Sequence, residues 1–201
     1  MIPVKIWTKY FPTPEEVRPG RCPRCGKAGY EPGRKLGMHG HGVIRGRQLL
    51  GPPDAEGRAE QQSVDVRSYV CTGCGRTVIV VPKEFAFRRH YNSGAIGLAL
   101  FLYGVLELSA RQVRERIRPF RTVGYSAPDK WRTLIRWIEA ASEGRLFASI
   151  RASPGAFSPR QRAARVAMSL LAQADPISAE ATAEQRVFAG AVHAALRPFG
   201  R

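Results

Sequence analysis

The sequence predicts an α+β fold in which a small antiparallel sheet, built on four cysteines, is followed by an all-α region. The four cysteines of the 201-residue chain form two Cys-x-x-Cys pairs, Cys22 with Cys25 and Cys71 with Cys74, each followed by a glycine. Segments near these pairs alternate apolar and polar residues, as half-buried strands do. From Ser93 onward, apolar residues recur with the period of an α-helix instead.

The spacing of both cysteine pairs is typical of metal-binding turns, because each turn directs two thiols at one point. Four thiolates would complete the coordination of one structural Zn²⁺ and leave no open position for a substrate. An iron–sulfur cluster and disulfides stay open as alternatives, whereas a redox Cys-x-x-Cys centre needs a βαβ context that is absent. The expected zinc ligands are Cys22, Cys25, Cys71 and Cys74.

The N-terminal 92 residues have the order of a zinc ribbon: knuckle, strand, strand, knuckle, strand. The 45 residues between Cys25 and Cys71 exceed the usual spacing, and the polar, Gly/Pro-broken stretch 49–62 is predicted to be an inserted loop. An extended lead-in over residues 1–20 is expected to cover a sheet edge with Ile6, Trp7 and Tyr10. The predicted strands are 38–47, 63–70 and 76–81.

The charge of the chain is strongly positive, with 32 Lys and Arg against 16 Asp and Glu, a net charge of +16 and a pI near 10.7. Such a charge predicts a polyanionic partner, with nucleic acid as the first candidate. The longest apolar run, 95–106, is shorter than a membrane span needs, so no membrane partner is expected. The chain opens without the apolar core of a signal peptide, which favours the reducing cytoplasm.

Residues 93–151 are predicted to form a domain of three helices. The first helix, 94–108, is apolar nearly all round and should lie at the centre of a core. Ser109 and Gln112 form a capping-box pattern that opens a short second helix, which Pro119 ends. Its outward side is expected to carry Arg111, Arg114 and Arg118.

The third helix of this domain is expected to be capped by the segment 126–129, with Pro128 in its first turn. A short capped helix followed by a basic helix is the plan of a helix-turn-helix. The open alternative is a three-helix bundle with a solvated basic face. The predicted buried face is Trp131, Leu134, Ile135 and Ile138. The opposite side presents Lys130, Arg132, Thr133 and Arg136, with Trp137 as a further candidate.

The last segment, 152–201, is predicted to be an α-hairpin. Ser158 and Pro159 start its first helix, and Ser178 starts the second after a break at 175–176. Its many alanines permit close helix packing, which serves either a core within the chain or the seam of a homodimer. The residues expected to point inward are Ala163, Val166, Leu170, Leu171, Val187, Phe188, Ala191, Val192 and Ala195.

The Cys-Pro-x-Cys-Gly pattern at 22–26, the Gly/Arg strand at 39–47 and the segment 69–82 resemble the zinc-ribbon domain of bacterial insertion-sequence transposases. In that family an apolar helix and a Ser-x-Arg-x-Val motif follow, as they do here at 109–113. The resemblance covers about residues 20–140. It implies recognition of DNA, with the four cysteines as ligands and the third helix in the major groove.

The resemblance stops before the RNase H-like catalytic domain that such transposases carry, with its three metal-binding carboxylates. After the third helix this chain has only Glu143, Asp175, Glu180 and Glu184, on helical or turn sequence. We therefore expect no enzymatic activity. The residues expected to contact nucleic acid are Arg45, Arg47, Arg111, Arg114, Arg118, Lys130, Arg132, Thr133 and Arg136.

The predicted function is sequence-specific binding of double-stranded DNA on the nucleoid, as a regulator or as the targeting subunit beside a separate transposase or nuclease. Two other functions stay open. In an RNA-binding module, Tyr30, Tyr69, His39 and His41 would stack unpaired bases. In a protein-assembly factor, the zinc site would be a rigid scaffold and the C-terminal α-hairpin would dock a partner.

Overall fold

The computed structural model describes residues 2, 4–82, 85, 91–117, 131–147, 149–150, 155–174 and 180–196. The predicted mixed α+β class is confirmed, with the strands in one small antiparallel sheet of order β1-β2-β3. No helix in the described part of the chain has the length and apolar character needed to cross a membrane. The elements are α1 Val4–Lys9, β1 Met38–Pro53, β2 Ala59–Cys71, β3 Thr77–Val80, α2 Ser93–Gly104, α3 Ala110–Ile117, α4 Arg132–Ser142, α5 Pro159–Ala172 and α6 Ala183–Leu196.

The chain folds as two compact units. The first, here called the cysteine unit, comprises Met1–Arg47 and Ser63–Lys83. The second, here called the helical unit, comprises Gln48–Gln62 and Glu84–Arg201. The segments predicted as a helix-turn-helix domain and as a separate C-terminal hairpin thus belong to one unit. Their common core explains this, because residues of α2 to α6 all contribute to one apolar cluster.

The alternation predicted for the second strand is confirmed in β2 from Val64 to Ser68 and ends at Tyr69, which is also buried. Val64, Val66 and Ser68 are buried at every second position. β2 pairs antiparallel with β3, so that Val70 lies opposite Thr77. β3 follows the second cysteine turn directly, and its pairing with β2 fixes the sheet against that turn.

The stretch predicted to be an inserted loop is instead the end of a long β-hairpin. β1 continues to Pro53 and β2 begins at Ala59, so a turn of only five residues joins them. Asp54 closes this turn, because its carboxylate accepts a hydrogen bond from the backbone N–H of Arg58 at 2.8 Å. Leu50 is buried in the core of the helical unit. Burial of such side chains outweighs the weak strand preference of the glycine and prolines nearby.

Two side-chain hydrogen bonds hold the hairpin tip within the helical unit. Asn92 donates to the carbonyl of Leu50 at 2.8 Å, and Gln185 donates to the carbonyl of Pro53 at 3.1 Å. Both acceptors are backbone groups of β1, so the contacts depend on strand geometry rather than on the side chains of the tip. They explain why a sequence rich in turn signals is ordered as strand here.

The N-terminal segment is not the extended lead-in that its prolines predicted, because Val4–Lys9 forms α1. Of the three side chains expected to cover the sheet, only Trp7 is buried, while Ile6 and Tyr10 are exposed. The indole N–H of Trp7 donates to the carbonyl of Asp65 at 2.7 Å. A single anchored ring therefore covers this part of β2.

α2 lies at the centre of the helical unit, as its all-round apolar sequence predicted. Every residue of α2 is buried except Tyr103. α3, α4, α5 and α6 pack around it. A Cβ on Gly97 would overlap the Cβ of Ala191, so the small residues allow the helices to approach closely. The buried alanines of the C-terminal hairpin thus serve this core, and a homodimer seam stays a prediction.

Two predicted helix caps are confirmed. Ser109 and Gln112 exchange the two hydrogen bonds of a capping box at the start of α3, at 2.9 and 3.3 Å. Ser158 and Gln161 do the same for α5, with Pro159 in its first turn. The predicted boundaries at 119, 126–129, 175–176 and 178 lie outside the described residues.

Replacing Ser158 by alanine is expected to lower the free energy of unfolding of the helical unit by about 1 kcal/mol. The hydroxyl accepts from the backbone N–H of Gln161, which would lose its partner. Ser169→Ala is the matched control in the same helix, because its exposed hydroxyl donates only to the carbonyl of Arg165. That control should change stability by less than about 0.5 kcal/mol. Urea unfolding followed by circular dichroism compares them, and equal losses would contradict the capping role.

The buried face of α4 differs from the prediction. Ile135 is exposed, whereas Trp137, expected on the free side, is only 1% exposed. Trp137 packs edge-on against Tyr91 and Trp131, with ring centroids 4.9 and 5.1 Å apart. The buried set that starts at Leu134 and includes Trp137 follows the spacing i, i+3, i+4, i+7. The predicted set, which starts at Trp131, follows the same spacing. Periodicity therefore could not choose between the two faces, and packing of the large aromatic ring decides.

Candidate metal centre

Two turns of the same geometry carry the four cysteines. In the first turn, the N–H of Gly26 donates to the carbonyl of Cys22 at 2.9 Å, and the N–H of Cys22 donates to the carbonyl of Lys27 at 2.8 Å. The second turn repeats these two bonds at Gly75 and Cys71, at 2.8 and 3.0 Å. Both glycines have φ near +70°, at +72° and +67°, which explains why a glycine follows each pair.

The two turns bring all four sulfurs to one point. The Sγ atoms of Cys22 and Cys74 are 3.8 Å apart, and those of Cys25 and Cys71 are 3.6 Å apart. All four lie within 4.8 Å of one another. A tetrahedral Zn²⁺ with Zn–S bonds of about 2.3 Å places its sulfurs about 3.8 Å apart. The donor set and its spacing are therefore compatible with one zinc ion, as predicted.

Backbone contacts fix the second turn against the first. Thr72 donates both its N–H and its hydroxyl to the carbonyl of Gly37, at 2.9 and 3.1 Å. Gly37 itself packs so closely that a Cβ there would overlap the carbonyl oxygen of Ala28. At Gly73, a Cβ would lie 3.4 Å from the sulfur of Cys25. Small residues thus let the two turns meet.

The thiols of the centre differ in proton affinity. The backbone N–H of Cys25 is the main cause that lowers the pKa of Cys22 to about 6. The backbone N–H of Cys74 is the main cause that lowers the pKa of Cys71. The N–H of Lys27 favours the Cys25 thiolate, but hydrogen bonding first with the thiol of Cys71 and then with those of Cys22 and Cys74 raises the pKa of the exposed Cys25 to about 11. A metal ion that binds here must therefore displace protons.

The spacing of the sulfurs argues against disulfides but leaves iron as an alternative to zinc. All four cysteines are free thiols, and sulfur separations of 3.6 and 3.8 Å suit a shared ion better than a covalent S–S bond of about 2.05 Å. Iron accepts the same four thiolates, so elemental analysis is the measurement that separates it from zinc. Within the described residues, the four cysteines are the only candidate metal-binding group, and His39 and His41 lie outside it.

β1 carries the predicted contact residues of the cysteine unit. Every residue of the segment 39–46 is exposed to solvent, including Arg45 and both histidines. Arg47 is half-buried, and this burial lowers the pKa of its guanidinium. The backbone N–H of Gly46 donates to the carboxylate of Asp65 at 2.9 Å, which holds the strand beside β2.

One of the three arginines assigned to α3 is exposed as predicted. Arg111 is exposed and forms an ion pair with Glu115 at 3.1 Å. Arg114 is half-buried rather than fully outward, which corrects the prediction for this residue. Arg114 lies at the border of the inner face, four residues after Ala110 and three before the buried Ile117. Arg118 lies outside the described residues.

α4 exposes two of its predicted contact residues. Arg132 and Arg136 are exposed one helical turn apart, and Thr133 is half-buried. The exposed Ile135 lies between the two arginines in sequence. Lys130 lies outside the described residues. The exposed face of this helix thus carries two cations, one apolar side chain and the carboxylate of Glu139.

The positive charge is concentrated in the cysteine unit. That unit has 13 Lys or Arg against four Asp or Glu, a net charge of +9, whereas the helical unit has 19 against 12. The sequence interpretation missed a cluster in it around the first turn, where Arg21, Lys27, Arg34 and Lys35 line one concave surface. The six Lys and Arg residues between positions 18 and 35 were the available signal. No protein-family model, curated protein or solved structure matches this chain.

Proposed function

We propose that this protein binds double-stranded DNA, with the metal-held cysteine unit as the main source of phosphate contacts. The observation that supports this most is the net charge of +9 on that unit. DNA carries a dense row of phosphates, and neutralising them releases condensed counterions, which drives association. A rigid unit with 13 cationic side chains and four acidic ones has the composition that this interaction needs.

Two exposed surfaces supply candidates for contacts beyond the phosphates. The strand segment 39–46 is exposed throughout, and a two-stranded β-ribbon fits the major groove of B-DNA. On α4, Arg132 and Arg136 have the side chains that most often read guanine, and Ile135 offers an apolar contact for a thymine methyl group. We propose that these surfaces give the binding its sequence preference.

The proposal extends to the biological role. The likeness of the cysteine pattern and of the motif at 109–113 to insertion-sequence transposases supports an origin in a mobile element. We propose a regulator or a DNA-targeting subunit on the nucleoid, with strand cleavage supplied by a separate transposase or nuclease. Incubation of supercoiled plasmid with the purified protein and Mg²⁺ tests this part, because nicking by the protein alone would contradict it.

Duplex binding is expected to weaken steeply with salt. If the protein neutralises about six to ten phosphates, the slope of log K against log salt should lie between about −5 and −9. Fluorescence anisotropy with a labelled duplex between 50 and 200 mM salt would measure it, and the affinity should fall by about 10³ to 10⁵. A shallow slope would contradict the proposal.

Single-stranded RNA of the same sequence is the comparison that separates DNA from RNA binding. Tyr69, one of the rings expected to stack on bases, is buried and donates to the carbonyl of Pro14 at 2.6 Å. Tyr30 is exposed and keeps the RNA alternative open. Tighter binding of the single strand than of the duplex would select RNA. Capture of one protein partner that resists salt would select the assembly factor.

A further inference from the structure

A concave basic pocket of about 500 Å³ lies beside the first cysteine turn. The loop that forms it is closed by backbone hydrogen bonds. The N–H of Gly29 donates to the carbonyl of Gly20 at 2.9 Å, and the N–H of Gly37 donates to the carbonyl of Gly29 at 3.0 Å. The pocket is therefore a formed feature of the cysteine unit, and its far wall is the metal-binding turn itself.

The lining of this pocket is cationic and incompletely neutralised. Glu31 is its one carboxylate, and it pairs with Arg34 at 2.9 Å. Arg21, Lys27 and Lys35 have no ion pair among the residues that the structure describes. Three exposed cationic side chains thus line one concavity, where an anion meets more positive charge than beside an isolated cation.

The first cysteine turn positions two of these three cations. The side chain of Arg21 donates to the carbonyl of Gly26 at 3.4 Å, and the backbone carbonyl of Lys27 accepts from the N–H of Cys22. The backbone of both residues therefore belongs to the turn that carries Cys22 and Cys25. Arginine offers paired N–H donors in the geometry of phosphate oxygens, and lysine adds a compact charge. The remaining lining is glycine and Ala28, which gives an apolar side chain little to pack against.

We propose that this pocket binds a phosphate group and that, on the DNA-binding function proposed above, it takes a phosphodiester of the duplex backbone. The site contributes to affinity rather than to base recognition, because its donors face phosphate oxygens. Its volume of about 500 Å³ leaves room for the sugar that adjoins the phosphate.

The test compares two double variants of the full chain that remove the same charge. Arg21→Gln with Lys35→Gln removes two cations of the pocket. Arg58→Gln with Arg145→Gln is the matched control, since both arginines are exposed and already paired with carboxylates. With a labelled duplex, the pocket variant should bind about tenfold more weakly at 150 mM salt, and its salt slope should be about 1 shallower than that of the parent protein. The control should keep the parent slope.

Each outcome of this test decides the proposal. Equal slopes for pocket variant and control, with duplex binding intact, would overturn the pocket site and leave the proposed function standing. If the parent protein does not bind duplex, inorganic pyrophosphate is titrated by calorimetry, and binding that only the pocket variant loses would keep the phosphate site. Binding to neither probe would overturn it. Metal content checks folding, and Lys35→Gln alone carries the test if the double variant loses its metal.

Discussion

Cys25→Ser is expected to abolish metal binding and to unfold the cysteine unit. Structural zinc sites contribute about 10 to 16 kcal/mol of apparent binding energy at neutral pH, which equals or exceeds the whole stability of an ordinary domain. Cys25 is the informative position because its side chain is exposed, so loss of packing cannot account for a large effect. Elemental analysis should find one zinc per chain in the parent protein and none in the variant.

Limited trypsin digestion is the second measurement for this variant. Arg67 donates to the carbonyl of Pro12, and cleavage after it should be slow in the parent protein and fast in the variant. Arg24→Ser changes an exposed, non-ligating residue of the same turn and should keep the metal. Chelation of the parent protein should reproduce the variant. A variant that lacks metal yet resists trypsin would show that the sheet alone holds the cysteine unit, against the expectation.

The ligand set was predictable because each of its signals is local. The Cys-x-x-Cys spacing and the glycine after it fix a turn whose hydrogen bonds all lie within six residues, as from Cys22 to Lys27. The capping box at Ser109 and Gln112 is local in the same way. Such features depend on a few neighbouring residues, so a single sequence contains what is needed to recognise them.

Features that depend on distant contacts were not predictable in this way. The turn signals at 49–62 gave no sign that Leu50 would be buried in a core formed by residues far along the chain. On α4, Trp137 is buried and Ile135 is exposed because the ring of Trp137 packs against Trp131 and against Tyr91, which lies more than 40 residues earlier in the chain. The basic pocket likewise joins Arg21 to Lys35 through loop closure, which composition alone does not reveal.

Gly190→Ala is expected to lower the free energy of unfolding of the helical unit by about 3 kcal/mol, although alanine is the better helix former. Helix propensity favours the substitution by about 1 kcal/mol. Against it, a Cβ at Gly190 would overlap the carbonyl oxygen of Leu170 and lie 3.2 Å from the backbone nitrogen of Ala174. Those atoms are backbone at the end of α5, so no side chain can rotate away. The overlap must outweigh propensity, and α6 must shift off α5.

Ser169→Ala is the control in the same unit, because its exposed hydroxyl on α5 donates only to the carbonyl of Arg165 and the change should alter stability by less than about 0.5 kcal/mol. Urea unfolding followed by the helical circular dichroism signal measures both variants. Gly190 belongs to the helical unit, so the metal content of its variant should stay at the parent value. If the Gly190→Ala protein is as stable as its parent, the backbones of α5 and α6 must lie farther apart than this structure places them. Loss of metal in that variant would mean that the two units fold as one.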